Sequence, residues 1–181
     1  MQPPLPRRTE PTAPGGERAW ERLWDAHAPR LLLYARQWLG DGASAEDAVQ
    51  GGFVKCWRTC RERGVAAPDL PLLFAAVRCE ALDLAKSSAR RRVREVVAAV
   101  DDAWWEEDPL VGRERQAAVR RALEGLSPEQ REVVVLRVWG GLTFAEIARA
   151  LDANENTVTA RCRRGLETLE KLLPEECREP L

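Results

Sequence analysis

Two capping boxes separated by a glycine pair constrain the stretch from Ser127 to Leu169 more than any other feature of the chain. Ser127-Pro128-Glu129-Gln130 opens a helix with a hydroxyl cap, a proline at the first helical position and a glutamine that can reach back to the cap. Gly140-Gly141 ends that helix. Thr143-Phe144-Ala145-Glu146 opens the next one in the same way, and after Leu151 the polar break Asp152-Ala153-Asn154 precedes a helix rich in arginine. Because each cap and break stops the chain from continuing as one rod, the stretch must fold as short helices packed side by side. The last two form a helix-turn-helix whose final member is basic, a shape suited to the major groove of DNA.

The helix faces agree with this reading. Phe144, Ile147, Ala148 and Leu151 fall on one side at i, i+3, i+4 and i+7. In the arginine-rich helix the spacing predicts Asn154 as N-cap and a buried stripe of Val158, Cys162, Leu166 and Leu169. Asn156, Thr159, Ala160, Arg163 and Arg164 are then left on the open face. Arginine can fork to guanine, and threonine can touch a base edge or a thymine methyl. Arg161 lies on the flank, where a phosphate contact is expected instead. A charged helix face is most often merely solvated, and Glu167, Glu170 and Lys171 are read that way. The two caps, the break and the register together favour DNA reading for the start of the helix.

The 181 residues suffice for one domain or two small ones. The net charge is -1 and the pI about 6.0, so the chain cannot coat nucleic acid by bulk charge. DNA binding must use local patches or the help of a larger partner. The five cysteines include no C-x-x-C pair, and there is one histidine. Cys56 and Cys60 share a helical stripe with Val49 and Phe53 and are read as small core residues, not metal ligands. Cys79, Cys162 and Cys177 are scattered, and His27 continues the stripe of Trp20, Leu23 and Trp24. No metal or cofactor site is expected. No signal-type apolar segment or long apolar run occurs, so a soluble cytoplasmic protein with reduced thiols is expected. With no phosphate loop, nucleophile motif or paired carboxylates in an apolar setting, an enzyme is not expected.

Along the chain, residues 1–16 are rich in proline and glycine and read as a disordered tail. Helical periodicity runs from Glu17 to Leu39, with Pro29 expected to kink or restart the helix. Gly40-Asp41-Gly42 is a turn, and Ala43 to Arg63 is a helix. One side of that helix carries Val49, Phe53, Cys56 and Cys60; the other carries Asp47, Gln50, Gly51, Val54 and Arg58. Gly51 and Gly52 each cost about 1 kcal/mol relative to alanine there, which suggests a surface that docks onto something, or simple tolerance. Gly64 to Pro71 reads as a loop. Leu72 to Val97 reads as a long helix, apolar first (Leu73, Phe74, Ala76, Val77) and then basic (Lys86, Arg90, Arg91, Arg92, Arg94). Asp101, Asp102, Glu106, Glu107 and Asp108 surround Trp104-Trp105 in an acidic linker, and a further helix spans Gly112 to Gly125. No strand pattern appears. The chain is therefore expected to be all-α: a helical domain at 17–97, an acidic linker at 98–111, a helix-turn-helix domain at 112–174 and a tail at 175–181.

With these residues in place, the chain resembles a known family. Ala45-Glu46-Asp47-Ala48-Val49-Gln50-Gly51-Gly52-Phe53-Val54-Lys55-Cys56-Trp57 resembles the A-E-D-x-x-Q-x-x-F-x-x-x-W core-binding helix of bacterial RNA polymerase sigma factors, in their extracytoplasmic-function group. Leu73-Phe74-Ala75-Ala76-Val77-Arg78 through Asp83 resembles the helix that follows it. Leu126-Ser127-Pro128-Glu129-Gln130-Arg131 and Gly141-Leu142-Thr143-Phe144-Ala145-Glu146-Ile147-Ala148 resemble the promoter-reading domain, and Asn156-Thr157-Val158-Thr159-Ala160-Arg161 falls at its G-T-V-x-S-R signature.

The resemblance implies a sigma region 2-like domain and a region 4-like domain, with no catalysis of their own. It implies that Asp47, Gln50, Val54 and Trp57 lie against the clamp helices of the polymerase's largest subunit. Arg78, Lys86 and Arg90 to Arg92, with the loop at Gly64 to Pro71, would handle the -10 element as it opens, with a flipped base held in a pocket near that loop. Thr159, Arg163 and Arg164 would read the -35 element, and the linker would thread toward the RNA exit path. The implied partners are core RNA polymerase, including its flap region, promoter DNA and an anti-sigma factor. Four positions depart from the family pattern: Leu72 for tryptophan, Cys79 for asparagine, Gly51 for an acidic residue and Ala160 for serine. Two other readings compete: a stand-alone helix-turn-helix regulator, which leaves the Asp47 and Gln50 face unexplained, and a sigma-like decoy that sequesters an anti-sigma factor.

Overall fold

Local chemistry sets where most of the helices begin. Asp41 accepts a hydrogen bond from the Ser44 N–H at 2.7 Å and starts one helix; Gly64, at φ +66°, ends it in the left-handed conformation that suits glycine. Both predicted capping boxes form, Ser127 with Gln130 and Thr143 with Glu146. Asn154 accepts from the Asn156 N–H at 2.8 Å. The computed structural model describes residues 16–92 and 113–174, and within them the chain forms α1 (Gly16–Ala35), α2 (Gly42–Arg63), α3 (Leu70–Arg92), α4 (Arg113–Glu124), α5 (Pro128–Val138), α6 (Phe144–Leu151) and α7 (Glu155–Leu172). The described residues are all-α. The tail up to residue 15, the basic helix beyond Arg92, the acidic linker at 98–111 and the tail at 175–181 lie outside them.

Of the two outcomes expected at Pro29, a kink or a restart, the restart does not occur: α1 runs through it to Ala35 with the proline on the exposed side. Pro71 is not in the loop but in the first turn of α3, where the missing N–H has no intrahelical partner to lose. The carboxylate of Asp69 accepts from the Leu72 N–H at 3.1 Å and closes that turn.

The glycine pair in α2 has a packing cause. A Cβ on Gly52 would stand 2.6 Å from Val77 Cγ2 and 3.0 Å from its Cα, so α2 and α3 touch at backbone distance there. Around this seam Val49, Phe53, Cys56, Leu73, Phe74 and Val77 are buried. Trp24 and Phe53 meet at 4.9 Å between ring centroids, and Tyr34 meets Phe74 edge-on at 5.1 Å.

In the second half α7 seats on α5 through another glycine. Val158, Cys162 and Leu169 are buried as expected, but Leu166 is 46 % exposed and Gly165 is buried in its place. A Cβ on Gly165 would lie 2.8 Å from Val134 Cγ2. The true stripe is i, i+4, i+7, i+11, and its third member has no side chain.

The halves share one continuous core, since neither is large enough to bury much apolar surface alone. At its centre Glu132 of α5, 8 % exposed, accepts from the Tyr34 hydroxyl of α1 at 2.8 Å and from Arg78 Nε of α3 at 2.6 Å. On the rim Arg149 of α6 pairs with Asp69 at 3.0 Å.

Gly52→Ala is expected to lower the free energy of unfolding by about 1–3 kcal/mol through overpacking, although alanine is the better helix former by about 1 kcal/mol. Gly51→Ala, which meets only the flexible end of Glu80, should be neutral or stabilising. Urea melts of the two variants separate the cases.

Candidate polymerase and promoter interface

The face of α2 turned away from the core carries Asp47, Gln50, Val54 and Trp57, all exposed. Val54 is 48 % and Trp57 45 % exposed, an unusual outlay of apolar surface for a helix whose other side is fully packed. The Arg61 guanidinium lies over the Trp57 ring at 5.3 Å from its centroid. The face therefore offers an acid and an amide at its start, and an apolar and aromatic patch further on, to a protein partner.

The face of α7 expected to meet DNA is also open. Asn156, Thr159, Arg163 and Arg164 are exposed, and Ala160 and Arg161 are half-buried on its flanks. Among the described residues Arg163 meets only Glu167, one turn on at 3.7 Å, an exposed pair of small worth. Behind this face, Val158, Cys162 and Gly165 fix the helix to the rest of the unit. The Cys162 thiol is pushed up by burial, so it stays protonated core.

In the basic helix α3 the first of the residues expected at the -10 element already has a partner. Arg78 is not on an open surface: both Nε and Nη2 donate to the Glu132 carboxylate, at 2.6 and 3.4 Å. That hydrogen bond raises the Arg78 pKa, and burial beside the same carboxylate holds the Tyr34 hydroxyl well above its ordinary range. Lys86 is exposed beside Asp83 at 3.8 Å. Arg90, Arg91 and Arg92 lie in the last turn of α3, and their side chains fall outside the described residues. The loop before α3 is pinned by Trp20 Nε1, which donates to the Ala66 carbonyl at 3.2 Å. A cavity of about 30 Å³ lies away from this loop, between Leu33 of α1, Gln37 just beyond it, Leu123 of α4, Val135 of α5 and its C-cap Trp139.

Cys56 and Cys60 are buried as expected, and desolvation pushes the Cys56 thiol up to about 12. Among the described residues no group of three or more metal-ligating side chains could hold an ion, and no helix is long and apolar enough to cross a membrane.

Comparison with known proteins identifies the family. Residues 23–68 match the family description Sigma-70 region 2, and residues 116–169 match Sigma-70, region 4. The chain is 33 % identical over 159 residues to the ECF RNA polymerase sigma factor SigL of Mycobacterium tuberculosis, covering 84 % of this chain and 88 % of that one. The chain belongs to the extracytoplasmic-function sigma factors. This sigma factor is also 31 % identical over 172 residues to the RNA polymerase sigma factor CarQ of Myxococcus xanthus, covering 89 % of this chain and 92 % of CarQ. Its fold is similar to that of the sigma factor RpoE solved with the anti-sigma factor NepR from Bartonella quintana, at a TM-score of 0.70 and 21 % identity over 86 % of this chain and 96 % of that one. It is similar again to CnrH in complex with the cytosolic domain of CnrY, at a TM-score of 0.62 and 24 % identity over 88 % and 90 % of the two chains.

Tyr34 and Glu132 are the residues that sequence reading missed. A lone carboxylate beside Val133-Val134-Val135-Leu136 was the visible signal, but its partners lie 54 and 98 positions away. In this sigma factor Glu132→Gln is expected to destabilise the chain by about 1.5–3 kcal/mol, the range for a hydrogen bond to a charged group. Tyr34→Phe should cost less, because Arg78 still satisfies the carboxylate. Chemical denaturation of the full chain gives both values.

Proposed function

We propose that this sigma factor binds core RNA polymerase through the outward face of α2 and reads the -35 element through the first turns of α7, with the region from 17 to 97 and the region from 112 to 174 acting as its two working domains. The observation that carries this reading is the pairing of exposures. Asp47, Gln50, Val54 and Trp57 stand out from a helix packed on its other side, and Asn156, Thr159, Arg163 and Arg164 stand out from a helix capped and seated by a glycine. Arg163 and Arg164 supply guanidinium forks for guanine, Thr159 a methyl and hydroxyl, and Arg161 a phosphate contact at the edge.

At the -10 element, Lys86 and Arg90 to Arg92 hold the backbone of the opening strand, on the same helix as Arg78, which keeps its pair with Glu132. The chain performs no chemistry; polymerase does, in the cytoplasm, and supplies the nonspecific DNA affinity that a net charge of -1 does not. One fold neighbour was solved with the anti-sigma factor NepR bound and the other with the cytosolic domain of CnrY, which supports an anti-sigma protein as the controlling partner here. Two matched regions in order favour a working sigma factor over a stand-alone regulator, whose α2 face would have no use, and over a decoy.

Arg163→Ala should weaken recognition at one position of the -35 element by about 1–3 kcal/mol while leaving polymerase binding unchanged; an equal loss on every sequence would make it a phosphate contact. Asp47→Ala with Gln50→Ala should reduce capture of core polymerase, and unchanged capture would reject the α2 face as the dock. In vitro transcription from a pool of random promoters with core polymerase reads both effects together. Without polymerase, the free chain should bind promoter duplex poorly, and a tight gel shift would favour the stand-alone regulator.

A further inference from the structure

The α2 face just described has a gap in it. Asp47, Gly51 and Lys55 form one row at i, i+4, i+8 along the edge nearest α3, and Gly51 contributes no side chain to it. The space is filled from the neighbouring helix. Glu80 of α3 lays its side chain over Gly51: where a Cβ of residue 51 would stand, Glu80 Oε2 is 3.1 Å away, Cγ 3.2 Å and Cδ 3.3 Å. A carboxylate at that distance occupies the place that an acidic side chain on residue 51 itself would occupy. The close contact of Gly52 with Val77, three residues before Glu80, is what brings α3 near enough for this reach.

The carboxylate is only lightly engaged. Oε1 meets Lys55 Nζ at 3.4 Å, between side chains 32 % and 52 % exposed, a surface pair of small worth. Among the described residues Oε2 has no hydrogen-bond partner. A half-exposed acid that lies over Gly51, one helical turn along α2 from Asp47 and with one oxygen lacking a hydrogen-bond partner among the described residues, is placed to meet a cation from outside. Bracing α3 against α2 does not require it, because the apolar seam beneath already does so.

We propose that Glu80 belongs to the polymerase-binding surface: it supplies across the α2–α3 seam the negative charge that α2 lacks at Gly51, and with Asp47 it receives a lysine or arginine of the core enzyme. The binding face is thus built from two helices. This rests on the α2 face being the dock, and the test separates the two. Affinity of the full-length chain for core polymerase is measured at low and at high salt for Glu80→Gln, for Glu80→Gln with Gly51→Asp, and for Asp47→Ala with Gln50→Ala. Glu80→Gln should weaken binding about three- to tenfold at low salt and less at high salt. Gly51→Asp should restore most of the loss and its salt dependence, because it returns a carboxylate to the same place from α2. If Glu80→Gln binds as tightly as the parent while the Asp47 and Gln50 variant is weakened, the inference falls and the dock stands. A loss that Gly51→Asp does not restore assigns Glu80 to helix packing and also overturns it. If no variant changes affinity, the α2 dock fails and the inference with it.

Discussion

Glu132 cannot keep a charge in the interior without donors around it, and this requirement governs how the halves of the molecule meet. An unpaired carboxylate at that depth would cost several kcal/mol. Apolar contact alone is non-directional and would let two small helical units slide over one another. The carboxylate removes that freedom, because α5 must place it where a hydroxyl from α1 and a guanidinium from α3 converge. Three helices from both halves are registered at one point, and the shared core closes around it.

What could be read from the sequence was local. The hydroxyl caps and their reach-back partners lie three residues apart, so both boxes and the ends they set were visible. The buried face of α2 was visible for the same reason. Errors arose where the deciding neighbour is distant or has no side chain. Counting apolar residues preferred Leu166 to Gly165, since a glycine scores nothing, yet that missing side chain lets α7 reach Val134. The partner of Arg78 could not be read because nothing near it in the chain indicates Glu132. The glycine pair of α2 could equally have been a docking surface or an accident until Val77 and Glu80 were found against it.

The placement of charge fits a protein that works as part of a larger machine. Its cations are spread along the chain and nearly balanced by its acids, with local basic clusters at Lys86 to Arg92 and Arg161 to Arg164. A sigma factor of this kind contributes choice, and the enzyme it joins contributes grip. The α2 face carries more exposed apolar area than a DNA-facing helix needs, in keeping with a protein partner.

The glycine pair in α2 has a further consequence. Two adjacent residues without side chains in mid-helix leave that segment a poor helix by itself, since short helices draw most of their stability from what they pack on. Its shape is conferred by α3. A synthetic peptide cut from Gly42–Arg63 would present the right letters in a fluctuating coil, and so would make a weak competitor for whatever the folded segment holds. An inhibitor patterned after this segment has to carry its neighbour along, or replace the glycines with residues that hold the helix unaided.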